Sequence, residues 1–191
     1  MTTTTEQQEL RDLADIALKI GRADLEKTKQ ITPIIVFRRA DNTVHHLRFP
    51  AYAAGLMNNG NAKDAIFGFI RRKVQEEGLT AVIFATEAWF GPPTALGLAQ
   101  LAEIGYEAYR ERHRYKNVEA LAAEGLCEQI EVIMVTAQTA EYVLYLKQAF
   151  RRDEETGKVI SYSEPDCEFD SQETFFGRQK MYGDCREENI R

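Results

Sequence analysis

The chain is poor in cysteine, proline and tryptophan, and it has no long apolar run. It carries three cysteines, five prolines and one tryptophan in 191 residues. Cys127, Cys167 and Cys185 show no C-x-x-C spacing. An odd number without paired spacing argues for free thiols in a reducing compartment, against a disulfide framework. The longest apolar run is about ten residues, half of the roughly 20 that a membrane helix needs, so no membrane association is expected. The opening MTTTTEQQEL has neither the basic nor the apolar region of a secretory signal. A cytoplasmic location is therefore expected.

Several chemistries lack their signatures. There is no G-x-G-x-x-G or G-x-x-x-x-G-K-S/T stretch to cradle a nucleotide, and no G-x-S-x-G nucleophile turn. No H-E-x-x-H, paired cysteines or acidic loop of EF-hand spacing is present. No cofactor and no metal is expected. A basic excess is also missing, since the net charge is −6. Nucleic acid is disfavoured as the main partner, because phosphate neutralisation requires a basic surface. The local basic runs Arg71-Arg72-Lys73 and Arg110 to Lys116 read as solvated helix faces.

What is there suits one water-soluble domain. Hydrophobic residues make up 44% and charged residues 28%, and the length fits a single core. Leu10, Leu13, Ala17 and Ile20 follow helical spacing over residues 6–29, with Ile16 widening the stripe. Ile34 to Arg39 and Thr43 to Phe49 flank Ala40-Asp41-Asn42 and read as a β-hairpin. In that register Ile35, Phe37, Leu47 and Phe49 share one face, and Arg38, Val44, His46 and Arg48 the other. Ile66, Phe67, Ile70 and Val74 mark a second helix that Gly78 stops.

LTAVIFATEAWFGPP, residues 79–93, reads as a buried strand cut off by Gly91-Pro92-Pro93. Helical segments follow from Leu96 to about Arg114 and from Val118 to Glu124. Strands at 129–136, 141–151 and 158–163 then close the domain as a meander. The expected fold is α+β. It has a single, mostly antiparallel sheet of about six strands: a β-hairpin, a central strand and a C-terminal meander. Helices pack on one face, and a helical insertion occupies 94–125. Residues 1–164 form one domain. Residues 165–191 form an extended acidic tail whose Phe175 and Phe176 need a surface to dock on.

Glu87 is the sharpest site candidate. A carboxylate on an apolar strand beside Trp89 is costly to bury unless paired. Two readings stand. Glu87 is a general acid or base with a raised pKa against an aromatic wall, or it is a structural carboxylate paired with an arginine at a strand end. Arg38, His46 and Arg48 share one hairpin face and offer a small anionic ligand a patch. His45 points away from His46, so regular β geometry cannot aim both at one metal.

The ββ-α-β core with a strand ending Thr86-Glu87-Ala88-Trp89 resembles a group of small bacterial and phage proteins of unknown function. In that group a strand ending Ser/Thr-Glu-Ala-Trp precedes a β-meander. The resemblance covers about residues 33–163 and departs from the group over 94–125. It implies a bacterial or phage accessory protein and assigns no catalytic residue.

The leading expectation is a non-enzymatic interaction or accessory module that self-associates, as a homodimer, or binds another protein. Free sheet edges can pair between subunits, and the aromatic tail can dock on a partner. The alternative is a small hydrolase or small-ligand-binding protein. Glu87 would then be the acid/base, Trp89 the wall, and Arg38, His46 or Arg48 the anchor for an anionic group.

Overall fold

A computed structural model describes residues 5–50, 60–171 and 181–182. The chain opens with α1 (Thr5–Thr28), whose Leu10, Leu13, Ala14, Ala17, Leu18 and Leu25 are buried at helical spacing. Each large side chain so buried contributes about 1.5–3 kcal/mol. Ile16 does not widen this stripe; it is 47% exposed on the outer side. The hairpin of β1 (Ile34–Arg38) and β2 (Val44–Arg48) pairs Arg38 with Val44 and Ile35 with Leu47. This is the register that the three-residue loop predicts. Asn42 takes a left-handed conformation in the turn, φ 64°, which asparagine tolerates well.

After α2 (Gly60–Glu77) comes β3 (Ala81–Phe90), followed by three short helices, α3 (Ala95–Ile104), α4 (Tyr106–Arg112) and α5 (Val118–Ala123). The segment expected as one helix to about Arg114 breaks at Gly105. There φ is 79°, a conformation that side chains with a Cβ rarely adopt. The remaining strands are β4 (Ile130–Gln138), β5 (Tyr142–Arg152), β6 (Val159–Tyr162) and β7 (Asp166–Ser171).

All the pairings are antiparallel, in the order β2-β1-β3-β4-β5-β6, with β7 also on β5. The fold is α+β, with one curled antiparallel sheet. β5 is long enough to serve two neighbours. Its first half, Tyr142 to Lys147, pairs with β7, and Phe150 to Arg152 pair with β6. β7 corrects the expectation that everything beyond residue 164 lies outside the sheet. Its sequence, DCEFDS, is polar because alternate side chains face solvent on an edge strand.

The helices do not share one face. α1 packs on Ile34, Val36, Ile83, Ala85, Ile133 and Val135. α2 packs through Ile66, Phe67 and Ile70 on Ile35, Val82 and Phe84, the alternate residues of the same strands. Successive strand side chains point to opposite faces, so β1 and β3 are covered on both sides. Their near-continuous apolar sequences follow from that.

Two residues of the expected tail complete the α2 side. Met181 and Tyr182 are 2% and 8% exposed and sit in the core with Phe67 and Leu79. The Met181 N–H donates to Gln138 Oε1 at 2.9 Å, and the Tyr182 hydroxyl donates to the Leu79 carbonyl at 3.2 Å. Among the described residues no helix is long and apolar enough to cross a membrane.

Candidate functional site

The end of β3 places Glu87 and Trp89 on the α1 side of the sheet, in phase with Ile83 and Ala85. Glu87 lies opposite Ile133, and Trp89 lies opposite Glu131 on β4. β4 and β5 stay paired only as far as Val132 and Ala149. Beyond that, β5 turns to pair with β6, with a register shift between Arg151 and Arg152. The extra residue in this step, Ile160, belongs to β6.

Arg152 lies in phase with Leu144, Leu146 and Phe150, which face the α1 side, so strand alternation brings it over that side. Its Nη2 donates to Glu87 Oε1 at 2.9 Å and its Nε to Glu131 Oε1 at 2.9 Å. Nη1 donates to the Lys29 carbonyl at 2.8 Å, just past the end of α1. The other Glu87 oxygen accepts the Ile31 N–H at 3.3 Å. Solvent reaches these side chains only partly, with 18% exposure for Arg152, 29% for Glu87 and 19% for Glu131. Burial works against the Arg152 charge, but Glu131 and Glu87 outweigh it and hold the guanidinium above its ordinary range. Glu87 therefore has both oxygens engaged by the fold.

The parting of β4 and β5 leaves an open groove of about 610 Å³ between them. Trp89, Glu131, Phe150 and Arg152 line it, with Glu154 and Ser161 at its rim. Glu87 is not among the lining residues. Trp89 is 52% exposed, while Phe150 beneath is 3% exposed. The Arg152 guanidinium lies 4.9 Å from the centre of the Phe150 ring, within cation–π range.

The hairpin cations are placed elsewhere. Arg38 and Arg48 do share a face with His46, as the register requires, and it is the face that α1 covers. α1 supplies their counter-charges. Arg38 pairs with Glu9 at 2.8 Å and donates from Nε to the Thr80 hydroxyl at 3.1 Å, and Arg48 pairs with Asp24 at 3.1 Å. His46 stays exposed. The structure thus brings Arg38, His46 and Arg48 to one face and keeps them apart from the Glu87–Trp89 strand end. Phe175 and Phe176 lie outside the described residues.

Sequence reasoning passed over Arg152, Glu131 and Ser161. Arg152 ends a long strand next to an acidic turn. The one available signal was that a carboxylate on an apolar strand requires a cation from a distant segment. Among the described residues no group of three or more His, Cys, Asp or Glu side chains is arranged to hold a metal ion.

A second surface feature lies in the helical insertion. α3, ALGLAQLAEI, is an apolar helix, yet Gly97 is its only buried residue. Leu96 and Leu98 are 57% and 52% exposed, and Tyr106 beyond it is 66% exposed. The close approach that buries Gly97 is to the Leu126 carbonyl, where a Cβ would come within 2.1 Å. α3 is thus held close to the 126 segment by its backbone, with Leu96 and Leu98 exposed and Leu101 half-buried.

Comparison with family models, with curated proteins and with solved structures finds no match to this chain.

Proposed function

We propose that this protein is a non-enzymatic accessory module of the cytoplasm that self-associates as a homodimer through its helical insertion. The observation that carries this reading is α3, an apolar helix whose Leu96 and Leu98 lie open to solvent. Leu96 and Leu98, two positions apart, stand on different sides of the helix, and exposed apolar side chains clustered on one short helix are ordinarily covered by another surface. A second copy of the chain suits the charges beside it. Glu103, Glu107 and Glu111 lie close to Arg110, Arg112 and Arg114, and Glu107 and Glu111 make only long, exposed pairs with Arg110 and Arg114 of their own chain. A two-fold axis can set acids of one copy against arginines of the other, as a self-complementary interface requires. β2 adds a second open surface, since all five of its residues are exposed.

The free thiols of Cys127 and Cys167 favour a reducing compartment. The engagement of Glu87 by Arg152 and by the Ile31 N–H favours the structural role over acid/base work, because a general base needs an oxygen open to substrate. The salt bridges of Arg38 and Arg48 to α1 likewise weigh against a hairpin site for a small anion.

The test is a paired light-scattering measurement of the chain and its Leu96→Glu/Leu98→Glu variant. Both positions are exposed, so the fold should be kept while the dimer mass falls to that of a monomer. A variant that stays dimeric would move the interface elsewhere and defeat the proposal.

A further inference from the structure

The groove between β4 and β5 is a separate feature, and α3 takes no part in it. We infer that it is a binding site for a neutral saccharide, one pyranose ring of which lies with its apolar face on the Trp89 indole. The volume of about 610 Å³ falls within the roughly 300–1,000 Å³ usual for small-molecule sites. The groove is also built in advance. The β4–β5 pairing ends at Val132 and Ala149 while β5 goes on to pair with β6, and Arg152 is fixed in the opening by Glu131, Glu87 and the Lys29 carbonyl. A site held in one geometry loses little entropy on binding.

Charge narrows the ligand class. The lining holds two acids, Glu131 and Glu154, and two arginines, Arg151 and Arg152, so it has no excess of either sign. The Arg152 guanidinium is already committed to two carboxylates. A phosphate or carboxylate ligand would find only the exposed Arg151, offset by Glu154 in the same lining, and a cationic ligand would compete with Arg152.

The remaining groups suit hydroxyls. Ser161, Gln129 and Glu154 border the groove, and their side chains have no hydrogen-bond or ion-pair partner among the described residues. Between them they supply donors and acceptors, and a sugar hydroxyl needs one of each. Trp89 supplies a flat apolar wall that a wholly polar ligand would leave unused. A pyranose has one apolar face and a hydroxyl edge, matching the wall and the rim. A proline-rich peptide, by contrast, docks between several exposed aromatic ridges, whereas here Phe150 is buried and only Trp89 stands open.

Trp89 is the only tryptophan, so the emission of the full-length chain reports on the groove directly. The experiment titrates the protein with maltose, cellobiose and N,N′-diacetylchitobiose, with inorganic phosphate and a proline-rich peptide as the competing classes. At least one disaccharide should shift the emission saturably, with a midpoint of about 10 mM or tighter. Glu154→Ala and Ser161→Ala, both at exposed positions, should weaken that midpoint by about tenfold while thermal unfolding is unchanged. The inference is overturned if no disaccharide saturates by about 50 mM. It is equally overturned if phosphate or the peptide saturates and the sugars do not, or if neither substitution moves the midpoint.

Discussion

Arg152 and Glu87, 65 positions apart in sequence, meet at 2.9 Å over the α1 side of the sheet. The same guanidinium holds Glu131 and the carbonyl of Lys29. One side chain thereby ties together β3, β4, the end of β5 and the segment leaving α1.

Arg152→Met should therefore be more harmful than loss of a surface ion pair. It removes the cation from two carboxylates that are mostly shielded from water. Breaking a fully buried pair costs about 3–5 kcal/mol. Partial solvent access here should reduce that to about 2–3 kcal/mol, read as a lower urea midpoint at constant slope. Glu87→Gln keeps an oxygen for the Ile31 N–H and should cost only about 1 kcal/mol.

The Met181–Tyr182 pair should act as an anchor for the α2 side. A chain ending at Ser171 loses both side chains from that core, and should lose at least about 3 kcal/mol of stability. Tyr182→Phe keeps the ring and removes only the bond to the Leu79 carbonyl. It should cost about 1 kcal/mol in the same denaturation measurement.

Gly97→Ala should destabilise the chain, although alanine is the better helix former by about 1 kcal/mol. The added Cβ would stand 2.1 Å from the Leu126 carbonyl oxygen, a backbone atom that cannot rotate away. Overpacking of this kind costs about 1–3 kcal/mol. A lowered Tm, with the change in amide exchange confined to α3 and the 125–127 segment, is the expected result.

Stability should fall on the alkaline side. Burial, reinforced by Asp170 and Glu168, pushes the Tyr145 hydroxyl from its ordinary value of 10.0 up to about 12. Burial also raises Tyr182, despite an opposing contribution from Arg38, and burial together with the Glu26 charge raises Tyr162. The folded state then holds these protons more tightly than the unfolded chain. Their contribution is complete below pH 10 and is lost as the pH rises toward 12. Urea midpoints measured across that range should decline, and Tyr145→Phe should flatten part of the decline.

Local pattern made much of the fold legible. The loop Ala40-Asp41-Asn42 fixed the hairpin register down to Arg38 opposite Val44. The 3.6-residue spacing of Leu10, Leu13 and Ala17 located the buried face of α1. Other features depended on contacts that local pattern does not contain. β1 and β3 are apolar on both faces, a sign of cover on both sides that a one-faced layer misreads. β7 escapes notice because an edge strand can alternate polar and half-buried residues without a long apolar run. The sequence flagged Glu87 as a carboxylate in need of a partner but could not name Arg152, because the two lie 65 positions apart on strands separated by β4. Exposure of α3 runs against its composition, since an apolar helix reads as core until its neighbours are known.

The most direct measurement is the solution mass of the unmodified full-length chain by sedimentation equilibrium over a range of concentrations. A single chain weighs 21.8 kDa. Self-association through α3 requires a mass approaching twice that value as concentration rises, with Leu96→Glu/Leu98→Glu returning it to one chain. A mass of one chain at every concentration would contradict the account.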